Sequence, residues 1–166
     1  MLDDLAPALA AARAELDPEG ARRVGLHITL LHPFVSRDQI TDDLVAGLRT
    51  FFAARSAPTF ALARIEEFPG VVAYAAPEPA AELIDVTLAV WRRFPDFPPY
   101  DGTVSEPVPH ATLVSYARVR MGVQRVRERV EPLLPAACAP LAASLLEEHE
   151  PDRWRELESL PFGAGS

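Results

Sequence analysis

Two stretches of the chain carry the same short motif: GLHITLLHPFV at residues 25–35 and VPHATLVSYA at residues 108–117 each contain His-x-Thr-Leu. The motif histidines are His27 and His110, which lie 83 residues apart. Aliphatic and β-branched residues surround both copies, which is typical of strands. We therefore predict one strand over residues 26–31 and a second over residues 111–117.

The motif puts two polar groups on one face of each predicted strand. Residues i and i+2 of a strand share a face, so His27 lies beside Thr29, and His110 beside Thr112. If the strands are neighbours, all four groups converge. One neutral imidazole can then remove a proton, the other can donate one, and the hydroxyls can bind phosphate oxygens. This scheme for phosphoryl chemistry needs no metal ion.

A single His-x-Thr in a strand is more often a half-buried polar pair than a catalytic site. The repetition favours catalysis here, because both copies have the same order and both lie in apolar strands. The second copy also follows a proline-rich stretch, residues 95–109, which we predict to be a long ordered loop of the kind that often serves function.

The remaining patterns predict an α+β fold with antiparallel sheets, because hairpins alternate with helices and no dinucleotide-binding glycine fingerprint follows a strand. The Ser36–Gln39 capping box is predicted to start the second helix. We expect helices over residues 2–16, 37–54, 79–94 and 121–134, strands over residues 59–67, 71–75, 140–147 and 154–160, and a turn over residues 17–20.

Composition limits the function classes. The chain has 166 residues, enough for one domain, and a formal net charge of −8, which disfavours binding to long nucleic acid by phosphate neutralisation. A small nucleotide or an RNA end in a local basic pocket remains compatible. All 16 basic residues are arginine, so a Schiff-base lysine and a P-loop lysine are excluded.

A lone cysteine, Cys138, rules out an intramolecular disulfide and a multi-cysteine metal site. The first residues are acidic where a signal peptide would be basic, and no apolar run reaches the length of a membrane span. We therefore expect a cytoplasmic protein that does not engage a membrane.

The two motifs resemble those of the 2H phosphoesterase superfamily, in particular its branch of bacterial 2′-5′ RNA ligases and RNA 2′,3′-cyclic phosphodiesterases. That family is defined by two motifs of the form His-x-Thr/Ser-hydrophobic. A weaker resemblance extends over FPGVVAYAAPEP (residues 68–79), PPYDG (residues 98–102) and the closing DRW and PFG segments.

The resemblance implies one bilobal α+β domain over residues 1–166, with two antiparallel β-rich lobes and a central cleft. It implies an enzyme that hydrolyses the 2′,3′-cyclic phosphate of an RNA end or small nucleotide to a 2′-phosphomonoester, without cofactor or metal. By position, His27 and His110 are the catalytic pair, and Thr29 and Thr112 bind phosphate. The sequence leaves open which histidine is the acid. We expect a monomer.

The chain departs from the family pattern at its start. Members usually open with a β-strand before the first helix, whereas this sequence begins almost inside the helix. We predict that this strand is missing, which leaves an unpaired position beside the first motif strand. An unpaired edge lowers stability or invites a partner strand. Residues 162–166 are predicted to form a loose tail.

Two tyrosines are candidate substrate-binding residues. Tyr100, with Phe97 in the proline-rich loop, could stack on a base, although packing of the loop is the simpler interpretation. Tyr116 falls on the His110 face by period two and is predicted to line the cleft. His32 is predicted to end the first strand on the opposite face from His27, and His149 to be solvated.

Two further functions stay open. The chain could be a nucleotide- or RNA-end-binding module with little turnover. It could also be a 2′-5′ RNA ligase, which would run the reverse reaction with the same residues, so the sequence does not separate ligation from hydrolysis.

Overall fold

The structure, a computed structural model, describes residues 5–104 and 106–163. Over these residues the chain forms helices and strands in a mixed order. The helices are α1 (Pro7–Leu16), α2 (Pro18–Arg23), α3 (Asp42–Ala53), α4 (Ala81–Arg93) and α5 (Val123–Val130), and the strands are β1 (Phe60–Phe68), β2 (Val72–Glu78), β3 (Ala111–Ser115), β4 (Ala136–Cys138), β5 (Ala142–Glu150) and β6 (Arg153–Pro161).

The strands form two antiparallel sheets, so the predicted α+β class is confirmed. One sheet has four strands in the order β3-β2-β1-β4, and the other is the β5–β6 hairpin. The predicted hairpin around Phe68-Pro69-Gly70 is the β1–β2 pair, and Gly70 takes the positive φ of 74° that its turn requires. The short strand β4 was not predicted from the sequence.

Each sheet has its own apolar core. Helices α1 and α5 pack on the four-stranded sheet, where Leu9, Leu62 and Leu113 are fully buried. The hairpin packs with α3 and α4 around Phe52 and Val90. We call the core on the four-stranded sheet the first core and the core on the hairpin the second core, and they give the fold its first and second lobes.

A cavity of about 1000 Å³ lies between the lobes, and its wall is mostly apolar. The first-motif segment (residues 26–31) lines one side, and β5 lines another. Leu30 and Leu31 of that segment pack against the core of the second lobe. The first motif therefore lies where the two lobes meet.

The prediction of a full strand over residues 26–31 is wrong. Among the described residues this segment makes one β-bridge, between Ile28 and Ala111 in antiparallel orientation. Beyond Ala111, side chains from the end of α1 bind the backbone of β3. Arg13 donates to the Thr112 carbonyl at 2.7 Å, and Asp17 accepts from the Ser115 N–H at 3.1 Å. Backbone pairing with the first-motif segment does not continue past these contacts.

Two other local predictions need correction. Residues 17–20 do not form a simple turn, because the Asp17 carboxylate caps α2 by accepting from the Gly20 N–H at 2.9 Å. The Ser36–Gln39 capping box exists, but it closes only a 3₁₀ turn. Helix α3 starts afresh after Thr41, whose hydroxyl accepts from the Leu44 N–H at 3.2 Å.

Two predictions concern the ends of the chain: a loose tail over residues 162–166 and a missing strand at the amino terminus. Phe162 packs on the second core and the Gly163 N–H donates to the Arg55 carbonyl at 2.8 Å, so the tail is fixed through Gly163, contrary to prediction. Residues 164–166 lie outside the described residues. Residues 5–10 contain no strand, and residues 1–4 also lie outside the described part, so the missing amino-terminal strand stays a prediction.

Within residues 5–104 and 106–163, no helix is both long and apolar enough to cross a membrane.

Candidate active site

The bridge between Ile28 and Ala111 brings the two His-x-Thr motifs side by side. In an antiparallel pair with this register, Thr29 comes level with His110, and His27 with Thr112. Ile28 and Ala111 both turn into the first core. Because side chains alternate along extended backbone, the two histidines and two threonines share the opposite face.

Both motif histidines are oriented in the same way by their own backbone. Nδ1 of His27 lies 2.8 Å from the Gly25 carbonyl oxygen, and Nδ1 of His110 lies 2.7 Å from the Val108 carbonyl oxygen. A carbonyl can only accept, so each Nδ1 carries the hydrogen, and Nε2 is left for proton transfer. Neither Nε2 has a hydrogen-bond partner within the described residues.

Aromatic rings hold the His110 imidazole from the sheet side. Phe68 meets it edge-on at 5.2 Å between ring centroids, and Tyr74 lies 5.3 Å away. Tyr74 is opposite Thr112 in the sheet register, and its hydroxyl donates to Glu66 at 2.9 Å. The sequence analysis missed both rings, because their place at the site depends on the pairing of β2 with β3.

Tyr100 approaches the same face from the proline-rich loop. It lies in a 3₁₀ turn, Pro99–Gly102, and its N–H donates to the His32 carbonyl at 2.7 Å. Tyr100 and Asp101 have φ of 50° and 54°, in the left-handed region that non-glycine residues rarely adopt. Burial raises the pKa of Tyr100, and a hydrogen bond with the Thr29 side chain partly offsets this rise. A small pocket lined by Thr29, Tyr100 and His110 lies here.

An aromatic group extends the site toward the second lobe. The His32 ring lies 6.3 Å from Tyr100 and 5.6 Å from Trp154, edge-on in both cases. Trp154 comes from β6. The sequence analysis placed it in the closing DRW segment and in a predicted strand, but not at the site. His32 lines the same pocket as Thr29, so it lies nearer the site than its predicted position on the opposite face implied.

Tyr116 lies away from this group. Its ring packs against the first core, and its hydroxyl donates to Glu67 at 2.9 Å. The period-two argument fails because β3 ends at Ser115, whose carbonyl accepts from the N–H groups of Arg118 and Val119 in a turn. Phe97 packs edge-on against Phe34 at 5.4 Å, which supports loop packing as its role. His149 is exposed, as predicted.

His27 is biased toward its neutral form. Desolvation is the largest cause and lowers the pKa of its imidazole below the usual value, while the Gly25 hydrogen bond acts in the opposite sense. The positive charges of Arg13, His110 and His32 lower the pKa further. At neutral pH, Nε2 of His27 therefore has a lone pair.

Among residues 5–104 and 106–163, no group of three or more His, Cys, Asp or Glu side chains is arranged to hold a metal ion.

The family model of the 2′-5′ RNA ligase superfamily matches residues 1–152, which is most of the chain and includes both motifs. No curated protein sequence matches the chain. The chain therefore belongs to the 2′-5′ RNA ligase superfamily, the 2H phosphoesterases, and has an activity of the phosphoesterase or ligase type found there.

Proposed function

We propose that this protein is a cyclic phosphodiesterase that opens a 2′,3′-cyclic phosphate, at an RNA end or on a small nucleotide, to a 2′-phosphomonoester. His27 and His110 are the acid and base, and the reaction uses neither metal nor cofactor. The family match supports the reaction class, and the arrangement of the four motif side chains supports the finer assignment.

The observation that carries the proposal is that the two histidines have the same hydrogen-bond arrangement. They flank one bridge, Ile28 to Ala111, and each Nδ1 hydrogen is bound by the carbonyl two residues earlier. Two structural histidines would have little reason to leave both Nε2 atoms without a hydrogen-bond partner among residues 5–104 and 106–163. An acid and a base that act on one substrate need such a pair of unoccupied nitrogens.

The proposed step is an in-line displacement at phosphorus. One imidazole takes a proton from water as the water oxygen bonds to phosphorus. The bond from phosphorus to the 3′ oxygen breaks, and the other imidazole, initially protonated, gives its proton to that oxygen. The product is a 2′-phosphomonoester and a 3′ hydroxyl, and both imidazoles return to their starting states by exchange with solvent.

The motif threonines bind the non-bridging phosphate oxygens in this proposal. Their hydroxyls lie on the face of the histidines, where they stabilise the charge that grows on those oxygens in the transition state. Tyr100 and Trp154, which face His32 from two sides, form the wall against which the nucleoside packs. Tyr116 has no part in the proposal, because it lies on the first core.

Hydrolysis of 2′,3′-cyclic AMP in the presence of EDTA tests the proposal. We expect release of 2′-AMP, and His27→Ala and His110→Ala should each lower kcat/KM by about 10²–10⁴-fold. His149→Ala, which changes an exposed histidine elsewhere, is the matched control and should retain full activity. Full activity in the His27 and His110 variants would end the proposal.

The same samples separate the alternatives. Binding of 2′,3′-cyclic AMP by isothermal calorimetry with no product would instead indicate a binding module. Joining of paired tRNA halves without hydrolysis of the cyclic nucleotide would indicate a ligase.

A further inference from the structure

The His110 imidazole has one hydrogen bond within the described residues, in which Nδ1 donates to the Val108 carbonyl at 2.7 Å. The last torsion of a histidine side chain, χ2, is broad and roughly two-fold, so the rotamer alone does not set the plane of the ring. One hydrogen bond fixes a single ring atom and still lets the ring tilt about it. Because His110 is only half-buried, the direction of its Nε2 depends on a few neighbouring side chains.

Two aromatic rings supply the missing restraint. The His110 ring is nearly perpendicular to the Phe68 ring, at 87° and 5.2 Å between centroids, and it is inclined by 59° to the Tyr74 ring at 5.3 Å. Phe68 and Tyr74 also contact each other, with their centroids 4.6 Å apart. The three rings form a closed triangle, so the imidazole cannot tilt without losing contact with one of the other two.

The pair of Phe68 and Tyr74 is itself fixed by the sheet. Tyr74 is 3% exposed and lies opposite Glu66 of β1 and Thr112 of β3, so these side chains share one face across three strands. The Tyr74 hydroxyl donates to Glu66 at 2.9 Å. Phe68 is two residues after Glu66 in the same strand and is therefore on the same face. The two rings thus place His110 relative to Thr112 through strand pairing.

The first motif has no aromatic pair of this kind in the part of the chain that the structure describes. None of the ring pairs within residues 5–104 and 106–163 includes His27. The restraint by two rings is therefore particular to the second motif, and His27 serves as the internal reference for measurements on His110.

We propose that Phe68 and Tyr74 are positioning residues of the active site: they hold the His110 imidazole with Nε2 directed toward the substrate phosphate. This inference rests on the proposed phosphodiesterase function, and it holds whichever proton His110 transfers. Proton transfer needs the nitrogen within about 2.6–3.2 Å of the reacting oxygen, and a misplacement of about 1 Å can cost about 10²-fold in rate. Neither ring needs to touch the substrate, so loss of a ring should slow turnover more than it weakens binding.

Steady-state kinetics on 2′,3′-cyclic AMP give the first test. Phe68→Leu and Tyr74→Leu each remove one ring and should lower kcat by about 10-fold or more with little change in KM. Phe68→Tyr and Tyr74→Phe keep the ring and should each retain most of the activity that the leucine variant loses. Phe51→Leu is the matched control, because it removes a half-buried ring that packs on the second core, and its kcat should equal that of the wild type.

Proton NMR gives a second readout that does not depend on turnover. In the wild-type protein, nuclear Overhauser effects should connect the His110 ring protons with those of both Phe68 and Tyr74, because the centroids are 5.2 and 5.3 Å apart. In folded Phe68→Leu, the effect between His110 and the remaining Tyr74 ring should weaken as the imidazole tilts, while the effects from the His27 ring stay unchanged. If Phe68 served stability alone, the contact between His110 and Tyr74 would persist.

The inference is overturned if the wild-type spectrum lacks the contact of His110 with either ring, a result that needs no variant to fold. It is also overturned if folded Phe68→Leu keeps full kcat, or shows a raised KM alone, which would mean that Phe68 binds substrate directly. A wild-type protein with both ring contacts and no hydrolysis of 2′,3′-cyclic AMP would refute the proposed function, whereas hydrolysis without the ring contacts would refute this inference alone.

Discussion

Each histidine of the pair is oriented by a backbone carbonyl two residues earlier, so the polypeptide supplies in each motif what a buried carboxylate supplies in many other enzymes. The motif therefore fixes the hydrogen on Nδ1 wherever its backbone is extended. The rest of the site must supply phosphate binding and a difference between the two imidazoles.

The threonine hydroxyls are the residue-level test of phosphate binding. Thr29→Val and Thr112→Val keep the side-chain shape and remove a hydrogen-bond donor, so each should lower kcat/KM by about 10²-fold or more. Thr→Ser at the same positions should retain most of the activity. Steady-state kinetics on 2′,3′-cyclic AMP would measure both. Equal loss in the Ser and Val variants would show that the methyl group matters and the hydroxyl does not.

Asp17 gives a residue-level prediction on stability. Burial alone would raise the pKa of its carboxyl, but hydrogen bonds from Arg118 and from the N–H groups of Gly20 and Ser115 outweigh this and lower it. A group with a lowered folded-state pKa stabilises the protein above its unfolded pKa of about 3.9, and this stability is lost as the pH falls through the folded value.

Asp17→Asn should therefore lower the free energy of unfolding by about 1–3 kcal/mol at pH 7, measured by urea denaturation. The difference from the wild type should shrink below about pH 4, because the unfolded chain then binds a proton at this carboxyl more readily than the folded protein does. Asp152→Asn, at an exposed carboxylate paired with Arg23, is the control and should change little. A difference that stays constant down to pH 2 would contradict the role given to the Asp17 charge.

At the scale of elements, the backbone of the first motif is less extensively paired, among the described residues, than the backbone of the second. Residues 111–113 of the second motif lie in β3, between β2 and the end of α1, whereas the first motif has a single bridge among the described residues. Backbone amides in weakly paired segments open more readily to solvent. We expect the amides of Thr29, Leu30 and Leu31 to exchange with deuterium much faster than those of Leu62 and Ile65 in β1.

Hydrogen exchange followed by mass spectrometry would compare residues 25–35 with residues 60–68. Addition of 2′-AMP, the proposed product, should slow exchange in the first region only. Equal protection of the two regions without ligand would show that the first motif is as firmly paired as a central strand.

The sequence predicted those elements whose signals are local. Three such elements appear in the structure, and each depends on neighbouring residues. They are the turn at Phe68-Pro69-Gly70, the helix that begins after Pro79 and the strand β3 with its period-two pattern. The paired motifs likewise indicated the candidate site before any contact was known.

What the sequence did not reveal depends on contacts between distant residues. Arg13 and Asp17 replace strand pairing along β3, and Tyr74 and Trp154 reach the site only through the register of β2 and the packing of β6. Tyr116 does not line the cleft, as had been predicted, because a turn begins at Ser115. Side-chain competition for backbone groups has no periodic signature, so pattern analysis cannot detect it.

At the scale of the whole molecule, the two lobes meet across an apolar cavity of about 1000 Å³. An open apolar cavity of this size should bind an apolar dye. We expect the native protein to enhance the fluorescence of anilinonaphthalene sulfonate.

A charge at the rim should weaken dye binding without unfolding the protein. Leu141→Glu is suited to this because Leu141 lines the cavity and is 84% exposed. Val71→Glu, at an exposed apolar residue elsewhere, is the control. No enhancement with the wild type at neutral pH would show that the lobes close over the cavity in solution.

The central claim is that His27 and His110 act on one phosphorus atom, and a crystal structure with bound 2′-AMP tests it most directly. We predict phosphate oxygens within about 2.6–3.2 Å of Nε2 of both histidines, with the Thr29 and Thr112 hydroxyls on the remaining oxygens. A phosphate bound elsewhere, or one that reaches only one of the two imidazoles, would contradict the account.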